Sequence, residues 1–473
     1  MISKIERIVL LLCLVASIAS VVSSPVPAYC ETLRFVFLAD SRGDSLDEPV
    51  NTPVLNAIVS QIKALSPQPA FVVFGGDMSY RGCIKNVYTF QSWKDLFAPL
   101  TSAGIPLYTA IGNHELYAHG CGASDEGFFL ANQQQYQNVF TENPGNGPTG
   151  YERLVYSFAS PGGEAFFAVL DPYYLTTDNS SPNISGTVDS TQLTWLENQV
   201  AQTKATHKFL FIHTPYYYIT ETNPADPSEP PGSPDVTFTN LWAFLDNNKF
   251  DIYACGHTHL YSRKAIDSSI LPMPQTSPNP TPPWQNNVVQ LITGTCGAPV
   301  DTGTPTVTNP TLWHISEAAY YFSVVDINDS KVSITSYSGN TGDYSVFDTT
   351  IATILANNHS QSIDITDNTP LSVTAALDPG SLSGQNADWW IAANTPWGLY
   401  TLTPSGWSPG INMLVQSPLL KIGPVEVFNG YLPVGDYTFY FAVGMSPDGV
   451  LDEPLYYDGV QVQVTLDATE HDN

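Results

Sequence analysis

The stretch Phe71-Val-Val-Phe-Gly-Gly-Asp-Met-Ser-Tyr80 decides the reading of this chain. FVVF is an unbroken apolar run of the kind a strand shows when a parallel sheet is covered on both faces. The run breaks at Gly75-Gly76 and then presents Asp77 and Tyr80. A carboxylate just beyond the carboxyl end of a buried strand stands where open α/β sheets bind their ligands. Four further motifs have the same build or complete it: Asp40-Ser-Arg42, Gly112-Asn-His-Glu115, Phe211-Ile-His213 and Gly256-His-Thr-His259.

Working outward, Leu33–Ala39 reads as the first strand and Leu107–Ile111 as the third. Between the first and second, Leu55, Ile58, Ile62 and Leu65 recur at helical spacing, and Thr52-Pro53 reads as N-cap and first helical residue. A second helical segment falls near Phe90–Leu100. Strand and helix alternating in this way predict βαβ units and a mostly parallel sheet. The pattern resumes with strands at Ala165–Leu170, Lys208–Ile212, Phe250–Ala254, Val288–Ile292 and Tyr321–Val325, and helices at Gln192–Gln202 and Phe238–Leu245. Pro-rich stretches at Glu221–Asp235 and Ser268–Asn287 read as loops flanking the His213 and His257 motifs.

After about Ala356 helical spacing ends. Val460, Val462 and Val464 alternate with polar residues, as do Tyr437, Phe439 and Phe441, which predicts half-buried antiparallel β. Leu432-Pro-Val-Gly-Asp-Tyr437 resembles the tyrosine corner of Greek-key sandwiches. The expected division is a leader at 1–30, an α/β domain at 31–357 and an all-β sandwich at 358–473.

Lys4 and Arg7 precede the apolar run Ile8–Val22, which is short for a membrane span, and Val26-Pro-Ala28 or Ala28-Tyr-Cys30 offers a cleavage site. The expectation is an exported protein, secreted or periplasmic, with no integral span. The 473 residues carry 16 Lys and Arg against 44 Asp and Glu, a formal charge of -28. Such a surface repels nucleic acid and anionic lipid. Six cysteines without a CxxC pair argue against a zinc ribbon. Export permits disulfides, and the expected pairs are Cys83 with Cys121 and, second, Cys255 with Cys296.

Carboxylate, imidazole and amide together suit two divalent or trivalent ions rather than a structural zinc. A carboxylate can bridge two ions about 3.5–4 Å apart, as two-metal hydrolases require. The five motifs in this order resemble the calcineurin-like metallophosphoesterase superfamily over about residues 33–345. Tyr80 in GDMSY and the run Gly256–Arg263 make the chain most similar to purple acid phosphatases.

The resemblance implies a layered α/β/β/α fold, two central sheets flanked by helices. It also implies a phosphate-ester substrate and two metal ions: iron with zinc, manganese or a second iron. By position, Asp40, Asp77, Tyr80 and His259 would hold the first ion, and Asp77, Asn113, His213 and His257 the second, with Asp77 bridging. His114 falls where the family protonates the leaving group. Arg42 departs from the pattern: the wider superfamily has a ligating His there and purple acid phosphatases have Gly. A protonated Arg cannot ligate, but it can clamp a phosphate or pair with Asp44.

The function expected is phosphomonoester hydrolysis. The same ions could serve a phosphodiesterase or nucleotidase, and a surface-binding protein working through its sandwich is the reading from another class. Other candidate residues take plainer readings. Asp171 is a structural hydrogen-bonder, His119 and His314 are structural or exposed, and Tyr216–Tyr218 are packing. Trp389, Trp390, Trp397 and Trp407 are core and loop packing rather than a carbohydrate patch, and Asp448, Asp452 and Asp458 do not have EF-hand spacing.

Overall fold

The computed structural model describes residues 33–80, 90–116, 126–174, 186–217, 239–266, 286, 288–300, 314–316, 319–328, 331–342, 344–349, 352–357, 359, 362–377, 379, 382, 384–451 and 455–467. The leader, Cys83, Cys121, His119, Tyr218, Asp452 and nearly all of both Pro-rich stretches lie outside them. Among the described residues no helix is long and apolar enough to cross a membrane.

Two sheets build the part that carries the motifs. The first runs, in spatial order, β13 (Ser345–Thr349), β12 (Lys331–Gly339), β11 (Tyr320–Asn328), β1 (Leu33–Leu38), β2 (Phe71–Phe74) and β3 (Leu107–Thr109). The second runs β10 (His314–Ser316), β8 (Tyr261–Ile266), β9 (Val288–Thr293), β7 (Ile252–Cys255), β6 (His207–Phe211), β5 (Ala165–Val169) and β4 (Tyr156–Ala159). The runs β1-β2-β3 and β5-β6-β7-β9 are parallel as the alternation predicts, while β11 joins β1 antiparallel and β8 joins β9 antiparallel.

Sequence alternation inside the apolar strands explains the layering. A strand turns successive side chains to opposite faces. Phe35, Phe37, Phe71 and Val73 meet Phe167, Val169, Phe209 and Phe211 in a core between the sheets. Phe35 sits edge-on to Phe167 at 5.5 Å and to Phe209 at 5.2 Å. Each such ring contributes about 1.5–3 kcal/mol by burial. Val36, Leu38, Val72 and Phe74 face the other way, onto helices α1 (Thr52–Ala64), α2 (Phe90–Asp95), α3 (Ala98–Thr101), α4 (Asn113–Leu116) and α5 (Glu126–Val139). Leu210, Ile212, Tyr253 and Cys255 face α6 (Ser190–Gln202) and α7 (Thr239–Asn247). The order helix, sheet, sheet, helix is the one the resemblance implies.

Helix α1 starts one residue earlier than its sequence predicts, with Asn51 as N-cap. Asn51 makes no side-chain cap bond, and its amide donates to the Gly297 carbonyl at 2.9 Å. The expected Cys255–Cys296 disulfide is wrong: both thiols are free and buried. They belong to different helix-side cores on opposite outer faces of the sheet pair, and Cys255 Sγ donates to the Leu291 carbonyl at 3.7 Å.

Two further sheets follow. One is β14 (Ala352–Ala356), β16 (Leu371–Leu377) and β21 (Ile422–Gly430). The other is β15 (Ser362–Thr366), β23 (Leu455–Thr465), β22 (Gly435–Gly444), β17 (Asn386–Thr395), β18 (Gly398–Thr403) and β19 (Gly406–Pro409), with β20 (Val415–Pro418) on β17. Tyr437, Phe439, Val460 and Val462 point to one core with Val373 and Ile354, giving a β-sandwich. The Tyr437 hydroxyl donates to the Pro433 carbonyl at 2.8 Å, the bond that defines a tyrosine corner. Trp389 and Trp390 are buried, Trp407 packs on the core, and Trp397 is exposed beside Tyr437.

Candidate metal centre

Every motif read from the sequence follows the carboxyl end of a parallel strand. Asp40 follows β1, Asp77 follows β2, Asn113 and His114 open α4 after β3, His213 follows β6, and His257 and His259 follow β7. Because the sheets face each other, these ends converge. One donor atom from each of Asp40, Asp77 and His213 lies within 4.8 Å of the others, and all three residues are buried.

The backbone is strained where the ligands sit. Among the described residues, six that are not glycine have positive φ, and three of them are Asp40 (61°), Asp77 (58°) and His257 (70°). A left-handed L-residue costs about 1–2 kcal/mol, and strain of this kind collects at functional sites. The neighbouring glycines are required for closeness: a Cβ on Gly256 would overlap the Asp40 carboxylate, and one on Gly112 would overlap Asp77.

The histidines are oriented. The His213 Nδ1 hydrogen bonds the Gly75 carbonyl at 2.8 Å. Its Nε2 is therefore turned toward Asp77 Oδ1 at 3.3 Å and Asp40 Oδ1 at 4.0 Å, buried and without a hydrogen-bond partner. Burial pulls His213 down, but Asp77 and Asp40 outweigh it and raise it to about 9. That proton marks a position where the surroundings demand a cation. His259 Nε2 lies 3.7 Å from Asp40 Oδ1. His257 is lowered to about 3, first by loss of solvent and then by charge on His213. It is thus neutral, the form a ligand needs. Its Nδ1 lies 3.2 Å from Asn113 Oδ1, close to the roughly 3 Å that separates two ligands on one ion with bonds near 2.1 Å.

Asp40 is pushed well up, by burial first and then by Asp77. Asp77 is held well down: burial alone would raise it, but His213, His114 and Arg42 prevail. A buried donor set of this chemistry, with an unpartnered imidazole nitrogen aimed at two carboxylates, fits metal ions.

Around this cluster, His114 Nε2 and Arg42 Nε stand 3.8 and 3.9 Å from Asp77 Oδ2. Arg42 Nε is buried with no hydrogen-bond partner, and among the described carboxylates its neighbour is Asp77 rather than Asp44. Tyr80 enters the cluster by its backbone, whose carbonyl hydrogen bonds His114 Nδ1, and its ring centre lies 6.1 Å from that of His114.

Two residues escaped the sequence reading. Glu115 is fully buried, and its carboxylate accepts from the backbone of Asp77 at 2.8 Å, Met78 at 2.7 Å and Gly112 at 2.6 Å. The signal was in the motif GNHE, since an acid three residues after Gly112 can turn back on the loop. Tyr173 walls the site, its ring 5.9 Å from that of His213 and 6.4 Å from that of His257. No pattern in the sequence marks it. Asp171 accepts from the Tyr173 amide at 2.8 Å and is structural, and Tyr216 stacks on Trp242 at 4.6 Å as packing.

Residues 33–261 match the calcineurin-like phosphoesterase family model. No curated protein matches the chain. Among solved structures it is similar to the purple acid phosphatase PPD1 of yellow lupin (Lupinus luteus) seeds, at 18% identity and TM-score 0.44, over 69% of this chain and 54% of that one. The chain thus spans about half the length of that relative. Vacuolar Protein Sorting 29 of Cryptosporidium parvum matches at 13% identity and TM-score 0.27, over 68% and 97% of the two chains, and a Vps29 mutant of Entamoeba histolytica at 9% and 0.25, over 67% and 100%. With five motifs gathered at the carboxyl ends of two facing sheets inside the matched stretch, residues 33–261 form a calcineurin-like phosphoesterase domain.

Proposed function

We propose that the protein is an exported, binuclear metal-dependent hydrolase of phosphate monoesters. The observation that carries this is the buried cluster of Asp40, Asp77 and His213 within the family domain. Export rests on the basic and apolar run at Lys4–Val22. Asp40, Asp77, Tyr80 and His259 would hold one ion, and Asp77, Asn113, His213 and His257 the other. Bound there, the ions would supply positive charge to the phosphoryl oxygens and an activated water near neutral pH.

The chain's own groups do the rest. Arg42, whose Nε has no other partner, offers its guanidinium to the substrate phosphate. His114 is lowered by burial, though Asp77 opposes this. Its Nε2 faces the cluster while Nδ1 donates to the Tyr80 carbonyl, so the imidazolium form holds on Nε2 the proton that goes to the departing alkoxide. Tyr173 covers His213 and His257 and excludes water from that side. The test is metal analysis and hydrolysis of monoester and diester panels by the wild type and Asp77→Asn. The variant should lose bound metal and more than the roughly 100-fold in rate that loss of an outer-shell partner costs. Full activity in the variant, or a preference for diesters, refutes the reading.

A further inference from the structure

A second cleft lies at the other end of the second sheet, where the phosphoesterase domain meets strand β15 of the β-sandwich. It has a volume of about 620 Å³ and is lined by His207, Lys208, Lys249, Asp251 and His359, among others. Strand β6 begins at His207 and His213 follows its far end, so six residues at about 3.3 Å each put the cleft roughly 20 Å from the metal cluster.

Lys249 is the informative residue. Helix α7 closes on a Schellman motif: the Phe250 amide donates to the Leu245 carbonyl at 3.0 Å and the Lys249 amide to Asp246 at 3.0 Å. The residue between must be left-handed, and glycine is the usual occupant. Here Lys249 takes φ 55°. A lysine held in that conformation is strained, and the strain places its side chain in the seam, where Nζ lies 3.3 Å from the Ser362 carbonyl. Lys208 lines the same cleft. Its ammonium is lowered by burial first; Asp251 opposes this, and the smaller effect of the Lys249 charge adds to it.

Two acids share the lining, Asp251 and Asp364. Asp251 spends one oxygen on His207 Nδ1 at 3.0 Å and the other on the Lys208 amide at 2.8 Å. Asp364 lines the cleft from β15 and is exposed. Two ammonium groups with two imidazoles make a donor-rich wall in a chain that has only 16 Lys and Arg against 44 acids. The overall negative field is screened beyond about 8 Å at physiological salt, so the groups lining the cleft decide what enters.

We propose that this cleft binds a tetrahedral oxyanion, free phosphate or the phosphoryl group of a larger molecule, between Lys208 and Lys249. Its volume is within the range of small-molecule sites and leaves room for an organic group beyond the oxyanion.

The experiment is lysine acetylation of the full-length protein with a succinimidyl ester, mapped by peptide mass spectrometry. The readout is confined to this cleft, so phosphate bound at the metal cluster does not register. Inorganic phosphate at several times its dissociation constant should slow labelling of Lys208 and Lys249 about five-fold, with sodium chloride at equal ionic strength as control. A stronger effect of benzylphosphonate assigns the ligand as a phosphorylated molecule, and an effect of phosphate alone assigns the free ion. Lys249→Gly should keep or raise the melting temperature, because glycine suits the turn, yet abolish protection of Lys208 by phosphate. Equal protection by chloride, no protection by phosphate, or undiminished protection in Lys249→Gly overturns the proposal.

Discussion

Asp171 should make the protein less stable as pH rises through the neutral range. The carboxyl is fully buried at the end of β5, one oxygen accepts from the Tyr173 amide at 2.8 Å, and the other has no partner. Burial pushes it from its ordinary 3.8 to about 7, the Tyr173 hydrogen bond opposing and Asp189 adding. The folded protein therefore holds this proton between about pH 4 and pH 7 while the unfolded chain has released it. Stability falls wherever the folded state binds more protons, so it falls as pH climbs across that window. A shift of about 3 units at 1.36 kcal/mol each sets an upper limit near 4 kcal/mol. Asp171→Asn keeps the shape and the acceptor but cannot ionise. Urea denaturation of both proteins at matched metal content should show a gap that widens in favour of the variant between about pH 4.5 and pH 8, by up to about 4 kcal/mol. A gap that is the same at both pH values within about 0.5 kcal/mol would falsify the assignment of a buried, neutral acid.

Three other outcomes are expected. Asp348 forms a two-point pair with Arg263 at 2.7 and 3.0 Å and accepts from the Tyr261 hydroxyl at 2.6 Å, all buried. Asp348→Ala leaves that guanidinium uncompensated and should cost about 3–5 kcal/mol, read as a fall in melting temperature; a loss under about 1 kcal/mol contradicts the buried pair. Tyr437→Phe removes the corner hydrogen bond and should cost about 1 kcal/mol with metal content and hydrolysis unchanged, so altered hydrolysis would tie the sandwich to the site. Iron(III)-loaded protein should show a visible band that Tyr80→Phe abolishes, because a metal favours the phenolate of its ligand. A band that survives takes Tyr80 out of the coordination shell.

What was legible in the sequence was what alternation and strand ends encode. FVVF and AFFAV are apolar at every position, and LRFVFL at every position but Arg34, because both faces of their sheets are covered, and their ends marked Asp40, Asp77 and Asp171. Strands β8 and β12 went unread. YSRKAI and KVSITSYSG mix polar and charged residues with apolar ones, and Arg263 and Ser336 are buried through an ion pair and hydrogen bonds rather than through hydrophobicity. The Cys255–Cys296 expectation failed because proximity to strand ends does not tell which face a side chain takes, and these two take opposite outer faces. Helix α1 begins one residue earlier than its sequence suggests, with Asn51 as N-cap and its amide tied to the distant Gly297 carbonyl. Residues named by motif were found together. Residues that support them from other elements, such as Glu115 and Tyr173, needed the fold.

The strained ligand positions persist because the loops are tied to each other. The Asp40 amide donates to Gly76 and the Ser41 and Arg42 amides to Asp77, at 3.0, 3.0 and 3.2 Å. The Gly256 amide donates to His213 at 3.0 Å, the His257 amide to the Asp40 carboxylate at 3.0 Å, and the Cys296 and Ala298 amides to Asp40 at 3.2 and 2.8 Å. Glu115 adds three more such bonds under Asp77. Three left-handed residues cost about 3–6 kcal/mol together. Ten cross-loop hydrogen bonds at about 0.5–1.5 kcal/mol each outweigh that. The geometry is therefore set by the chain before any ligand arrives, and the carboxylates and imidazoles need not reorganise to receive one. Glu115 is the most exacting part of the arrangement. Its three donors require the anion, while burial and the charge on Asp77 push it up to about 7. Added positive charge at the cluster would draw it back toward the ionised form that grips the Asp77 loop, so occupancy of the cluster and order of that loop reinforce each other.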